Sequence, residues 1–204
     1  MQLVYFVDPL CSWCYGFGPE LTKVVAALPD AELQLVMGGL RPEGTEVIAD
    51  MKDFLKEHWD HVQQRSGQPF SYKILEDPDF VYNTEPPCRA VVVVRHMDRK
   101  KEFDFLKALQ MAFYYGNRPV TQLGELLSVV QAHDLNQDTF TSLFESDEFR
   151  SKTLQDFQYS AQLGVRGFPT LLLKVEDRLE TLCIGFQESE KILRRLENLL
   201  TEAE

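Results

Sequence analysis

Asp8-Pro9-Leu10-Cys11-Ser12-Trp13-Cys14-Tyr15-Gly16-Phe17 is the stretch that decides fold and chemistry together. It follows a short apolar run, residues 3–7, whose β-branched and aromatic members read as a buried strand. A helix is expected over residues 11–28, because Leu21, Val24, Val25 and Leu28 recur at helical spacing before Pro29-Asp30. Pro19 removes a backbone donor, so a bend is expected near Gly16-Phe17-Gly18-Pro19. The two cysteines, spaced C-x-x-C, therefore fall at a helix N-terminus. Unpaired N–H groups and the helix dipole stabilise negative charge there, which favours the thiolate, the form that attacks disulfides. That spacing directly after a strand reads as a redox site.

Cys11 is the expected nucleophile, at the helix edge and partly exposed, while Cys14 faces inward one turn on. Positions i and i+3 share a helix face and come close enough for a disulfide. Cys11 would attack a substrate disulfide and Cys14 would resolve the mixed disulfide, or the pair would run in reverse. Asp8 is a candidate proton relay to Cys14, with an Asp-Pro turn that orients the chain as the structural alternative. Trp13 is expected to be exposed beside the nucleophile, where it contacts substrate, with packing against the helical block as the alternative.

The chain has 204 residues, 44% of them hydrophobic, enough for one domain carrying a large insertion. No run of about 18 apolar residues occurs, so no membrane partner is expected. A net charge of −11 with no basic stripe excludes a nucleic-acid surface. The densest basic segment, residues 95–101, reads as the solvated end of a helix. Met1-Gln2 leads straight into the strand with no export signal, which places the protein in the cytoplasm, or in the periplasm if a signal was trimmed away. The other two cysteines, Cys88 and Cys183, do not supply a second pair at ligand spacing, so no metal is expected. Both read as core residues, and His58 and His61 as a solvated helix face.

A second strand is expected over residues 33–37, closed by Gly38-Gly39. The pattern then turns helical. Residues 47–64 carry Val47, Ile48, Met51, Phe54, Leu55 and Trp59 near helical period. Residues 88–97 have strand propensity, but Pro86-Pro87 mark a helix start. Helices follow over 102–115, 123–133, 138–144 and 148–163. Phe113-Tyr114-Tyr115 reads equally as groove lining or core. Residues 171–175 and 179–184 form a hairpin joined at Glu176-Asp177-Arg178, and the last helix, 189–200, buries Ile192, Leu193, Leu196, Leu199 and Leu200. Before the hairpin, Gly167-Phe168-Pro169-Thr170 puts a proline where a cis bond is tolerated, or an ordinary trans proline at a strand start. The order describes an α/β protein with a four-stranded mixed sheet flanked by helices. Residues 1–43 and 146–204 form that domain, and 44–145 an inserted helical subdomain.

Phe6-x-Asp8-x-x-Cys11-Ser12-Trp13-Cys14-Tyr15-Gly16-Phe17, a long helical insertion, and Gly164-Val165-x-Gly167-Phe168-Pro169-Thr170 together resemble the DsbA-like branch of the thioredoxin superfamily. Within that branch it resembles a bacterial group of protein-disulfide isomerases, and the resemblance covers essentially the whole chain. It implies a thioredoxin fold and thiol-disulfide oxidoreductase activity on protein or peptide thiols and disulfides: oxidation, reduction or isomerisation. It implies Cys11 as attacking thiol, Cys14 as resolving thiol and Pro169 as a cis proline beside them. Phe168 and Trp13 would then meet substrate, the former offering its backbone to an extended segment. No cofactor is implied beyond the Cys11–Cys14 disulfide, with glutathione as candidate co-substrate and a recycling partner to restore the site. Ser12-Trp13 departs from the Pro-His of periplasmic DsbA and the Gly-Pro of thioredoxin, so the potential, which spans about 150 mV in the superfamily, does not carry over. Two other readings compete. A glutathione-dependent transferase or isomerase of the kappa and 2-hydroxychromene-2-carboxylate isomerase type places Ser at the nucleophile position, so both cysteines speak against it. A non-enzymatic partner or chaperone would use the groove alone.

Overall fold

The structure, a computed structural model, describes residues 1–176 and 178–201. Strand β1 (Gln2–Val7) leads through helix α1 (Ser12–Ala27) to β2 (Glu32–Met37), which pairs parallel with it. After a helical insertion, β3 (Thr170–Val175) returns antiparallel to β1 and pairs with β4 (Arg178–Ile184), giving the order β2-β1-β3-β4. This is the expected α/β architecture. The hairpin closes at the pair Val175 and Arg178, and Asp177 of the expected turn lies outside the described residues, as do the last three residues of the expected C-terminal part. A β-bulge interrupts the β3–β4 register at Leu171 and Leu172.

β1 is apolar on both faces because both are covered. Leu3, Tyr5 and Val7 join the main core, whereas Val4 and Phe6 meet Val36 and Leu172 in a smaller cluster on the other face. There the Phe6 ring lies 6.1 Å from that of Tyr159, on α7 (Asp147–Gln162).

Between the sheet halves run α2 (Lys52–Ser66), α3 (Glu85–Met97), α4 (Glu102–Tyr114), α5 (Leu123–Ala132) and α6 (Gln137–Glu145), followed by α7. A left-handed glycine, Gly67 at φ 72°, ends α2. Asn136 and Ser146 cap α6 and α7, accepting from the N–H groups of Thr139 and Phe149. α3 is a helix despite its four valines, because Pro86 and Pro87 suit its first turn and Val91 to Val94 are buried all round. Trp59 is 1% exposed and packs edge-on to Phe113 and Tyr114, so the insertion shares one continuous core with the sheet. α8 (Ser189–Thr201) closes the chain. Among the described residues, no helix is long and apolar enough to cross a membrane.

Four expectations are corrected. Val47 lies outside α2, in an isolated bridge to Val81, and the first turn of the expected helix is a 3₁₀ turn, Ile48–Met51. Phe54 is 60% exposed, because Leu55, Trp59 and Val62 form the buried stripe and Phe54 falls beside it, stacked on His58. Leu200 is exposed near the helix end, where only Ile192 and Leu196 reach the core fully. Arg95 is not a solvated helix end. Its guanidinium donates to Glu102 (2.6 Å), to both carboxylate oxygens of Asp156 (3.2 and 3.0 Å) and to the Leu35 carbonyl (3.0 Å). Asp156 also accepts from the Met37 N–H at 2.9 Å, so one arginine ties α3, α4 and α7 to the edge strand β2.

Candidate active site

The site begins where β1 stops. The Asp8 carboxylate accepts from the Leu10 N–H at 2.9 Å and its carbonyl accepts from the Cys11 N–H at 3.1 Å. This tight turn delivers Cys11 as the N-cap of α1, in extended conformation and with no side-chain capping bond. Cys14, one turn on, is fully buried, with Tyr5 and Phe17 in the same core. All four cysteines are free thiols.

Against this turn lies the loop before β3. The Phe168–Pro169 bond is cis, Pro169 is buried, and the Cys11 thiol donates to the Phe168 carbonyl at 3.5 Å. That contact corrects the expected exposure of Cys11. The residue is only 7% accessible, because a peptide 157 residues away covers the thiol.

Burial pushes the Cys14 thiol well above the ordinary range, helped by its hydrogen bond to Cys11 and by the charge of Cys11. Burial also raises Asp8, against the opposing pull of the Leu40 and Leu10 N–H groups and of Thr84 and Cys88. The Asp8 carboxylate accepts from the Leu40 N–H at 2.7 Å and from the Cys88 thiol at 3.5 Å. It thereby fastens the loop after β2 and the first turns of α3 to the cysteine turn. Its charge also reaches Cys14, whose proton it helps retain. Tyr82 completes the fastening from the insertion, its hydroxyl donating to the Leu10 carbonyl at 2.6 Å.

Trp13 is half-buried rather than exposed. Its ring lies 6.3 Å from that of Phe186, just after β4, and Phe186 in turn meets Phe17 edge-on at 6.4 Å. Trp13, two residues after Cys11, and Phe168, whose carbonyl meets the Cys11 thiol, line a cavity of about 310 Å³ with Gly185, Phe186 and Arg65. Larger hollows at the Gly116 turn and along β4, about 470 and 560 Å³, are lined by neither Trp13 nor Phe168. Cys183 is a core residue, and burial pushes its thiol up to about 11. Phe113 and Tyr114 are core, whereas Tyr115 is exposed. His58 and His61 are exposed on α2, and among the described residues no His, Cys, Asp or Glu cluster is arranged to hold a metal.

Gly38, Arg65, Tyr82 and Phe186 went unnoticed in the sequence. Only Gly38-Gly39 carried a signal, as the close of a strand. A methyl at Gly38 would collide with three atoms of the Phe168 ring, so this glycine is the seat on which Phe168 rests while its carbonyl meets Cys11. Gly38→Ala is expected to cost about 1–3 kcal/mol in urea unfolding by overpacking. The double variant with Phe168→Ala should recover part of that loss. Wild-type stability in Gly38→Ala would remove the seat.

A family model described as a DSBA-like thioredoxin domain matches residues 2–197. A candidate protein disulfide isomerase of Nitrosomonas europaea has 32% identity and a TM-score of 0.91, with 98% of each chain covered. The cytosolic disulfide reductase DsbM of Pseudomonas aeruginosa has 25% identity and a TM-score of 0.84, over 98% of this chain and 99% of that one. Its structure with GSH matches at 26% identity and a TM-score of 0.79, over 98% and 100%. The ClpXP adapter protein SpxH of Bacillus licheniformis is 22% identical over 174 residues, 84% of this chain. The chain spans 57% of the length of that relative.

Proposed function

The chain belongs to the DSBA-like thioredoxin domain family, and from that premise we propose that it reduces disulfides of protein or peptide substrates through Cys11 and Cys14. The observation that carries the reading is the Cys11 thiol at the start of α1, held against the backbone carbonyl of Phe168. A substrate strand laid along Phe168 brings its disulfide to that sulfur.

Cys11 thiolate attacks one substrate sulfur, forming a mixed disulfide and releasing the other as a thiolate. Cys14 then loses its proton and attacks the Cys11 sulfur, which closes the Cys11–Cys14 disulfide and releases the second substrate thiolate. Two electrons have passed to the substrate. Two glutathione molecules, as co-substrate, return them and leave as glutathione disulfide. The raised pKa of Cys14 keeps its proton until attack is needed. Asp8, buried within electrostatic reach, serves as the proton relay for that step. The similarity to a cytosolic reductase supports the reductive direction and a cytoplasmic setting. A transferase or isomerase that only activates glutathione has no use for a second thiol placed against the first.

Cys14→Ser tests the reading. Incubated with a disulfide-bonded peptide, this variant should accumulate a covalent adduct at Cys11, seen by mass spectrometry and released by dithiothreitol, while turnover of insulin with glutathione stops. Full insulin reduction without any adduct would overturn the roles of the two cysteines.

A further inference from the structure

The cavity that shares Phe168 with the Cys11 thiol contact has apolar walls, Trp13, Phe168 and Phe186, and one charged lining residue, Arg65 in the last turn of α2. The guanidinium lies over the Phe186 ring, 5.1 Å from its centroid. Its Nη2 pairs with Glu188 Oε1 at 2.9 Å, and the two side chains are 49% and 46% exposed. Glu188 is shared, since its other oxygen stands 3.7 Å from Lys191. Among the described residues Arg65 makes no other ion pair, so much of its planar five-donor fork is open to a second carboxylate. The chain as a whole carries −11, a field that repels anions. A cation in the wall of a cavity shared with Trp13 and Phe168 runs against that field.

We propose that Arg65 sets the specificity of this site by docking a carboxylate of the substrate, so that small peptide disulfides with a carboxylate near the sulfur are preferred. The inference rests on the disulfide-exchange reading. Arg65 is pre-oriented by Phe186, and the incoming carboxylate takes guanidinium donors in competition with Glu188. Glu188 is therefore an internal rival of the substrate rather than part of a structural clasp. Cys11 then attacks the near sulfur of the docked disulfide, and the far half leaves as a thiolate with the bonding electrons.

The experiment compares two chromogenic disulfides on the reduced full chain. Dithiobis(nitrobenzoate) bears a carboxylate on each half, and dithiodipyridine bears none. Arg65→Met, which keeps an apolar stem over Phe186, should slow the anionic probe about three- to fivefold, as expected for a partly exposed charge pair, and leave the neutral probe unchanged. Arg65→Lys should retain most of the anionic rate. Glu188→Gln should raise it about twofold, the opposite sign. A clasp that merely shaped the groove would make both variants move the two probes alike. Equal slowing of both probes in Arg65→Met, or a slower anionic reaction in Glu188→Gln, would overturn the proposal. If Cys11→Ser still reacts at the wild-type rate with both probes, the exchange reading fails instead, and the two failures are distinct.

Discussion

Replacing Cys11 by serine is expected to take disulfide exchange down to the uncatalysed rate, a loss of about 10³-fold or more. A serine hydroxyl does not ionise near neutral pH, and no other thiol can stand in for Cys11. Cys14 and Cys88 are wholly buried, and burial raises both well above the usual thiol range. Cys183 is pushed up to about 11 by the same cause. Insulin reduction coupled to glutathione measures the loss. Alkylation of the native reduced protein supplies an independent readout: iodoacetamide should mark Cys11 first, and the other three only after unfolding. Activity retained in Cys11→Ser, or first labelling elsewhere, would move the nucleophile.

Removing Arg95 is expected to be the most damaging single change to stability outside the apolar core. Arg95→Ala strands Glu102, which is 3% exposed, and takes from Asp156 its guanidinium partner. Breaking a buried pair in this way costs about 3 kcal/mol or more. The penalty should depend on pH. Burial raises Glu102 above its ordinary value, and the Arg95 charge and hydrogen bond pull the other way. A carboxyl raised in the folded state contributes stability below its unfolded pKa, about 4.3, and loses it as pH climbs through the folded value. Without Arg95 the carboxyl of Glu102 rises further, so the cost is largest at neutral pH and shrinks as acid protonates it. Urea unfolding near pH 7 and near pH 5, against wild type at each pH, checks this. A penalty under about 1 kcal/mol, or one that grows on acidification, would show that the network bears little weight.

The reasons for these two effects were unequally visible in the chain. Cys11 and Cys14 declare themselves because strand, turn, C-x-x-C and helix lie within a few consecutive residues, and local spacing carries the chemistry. The same locality explains why the main helices and strands were legible, α3 included, where Pro86-Pro87 outweighed four valines. Arg95 was misread because its partners, Leu35, Glu102 and Asp156, are drawn together only when α7 packs against both α3 and β2. Phe54 misled for a related reason: a helix has several rows of side chains, and packing chooses which one turns inward.

By itself the sequence determined the order of elements, the two-sided burial of β1 and the thiol pair at the start of α1, because periodicity and turn chemistry are local properties of the chain. Only the tertiary structure decided how far Cys11 is covered, what holds Phe168 against it, and which charge shares a cavity with Phe168. Those are contacts between β1, the loop before β3, the Gly38 turn and the end of α2. Residues far apart in sequence meet there because a two-faced sheet must be covered on both sides, and no single segment shows what will cover it.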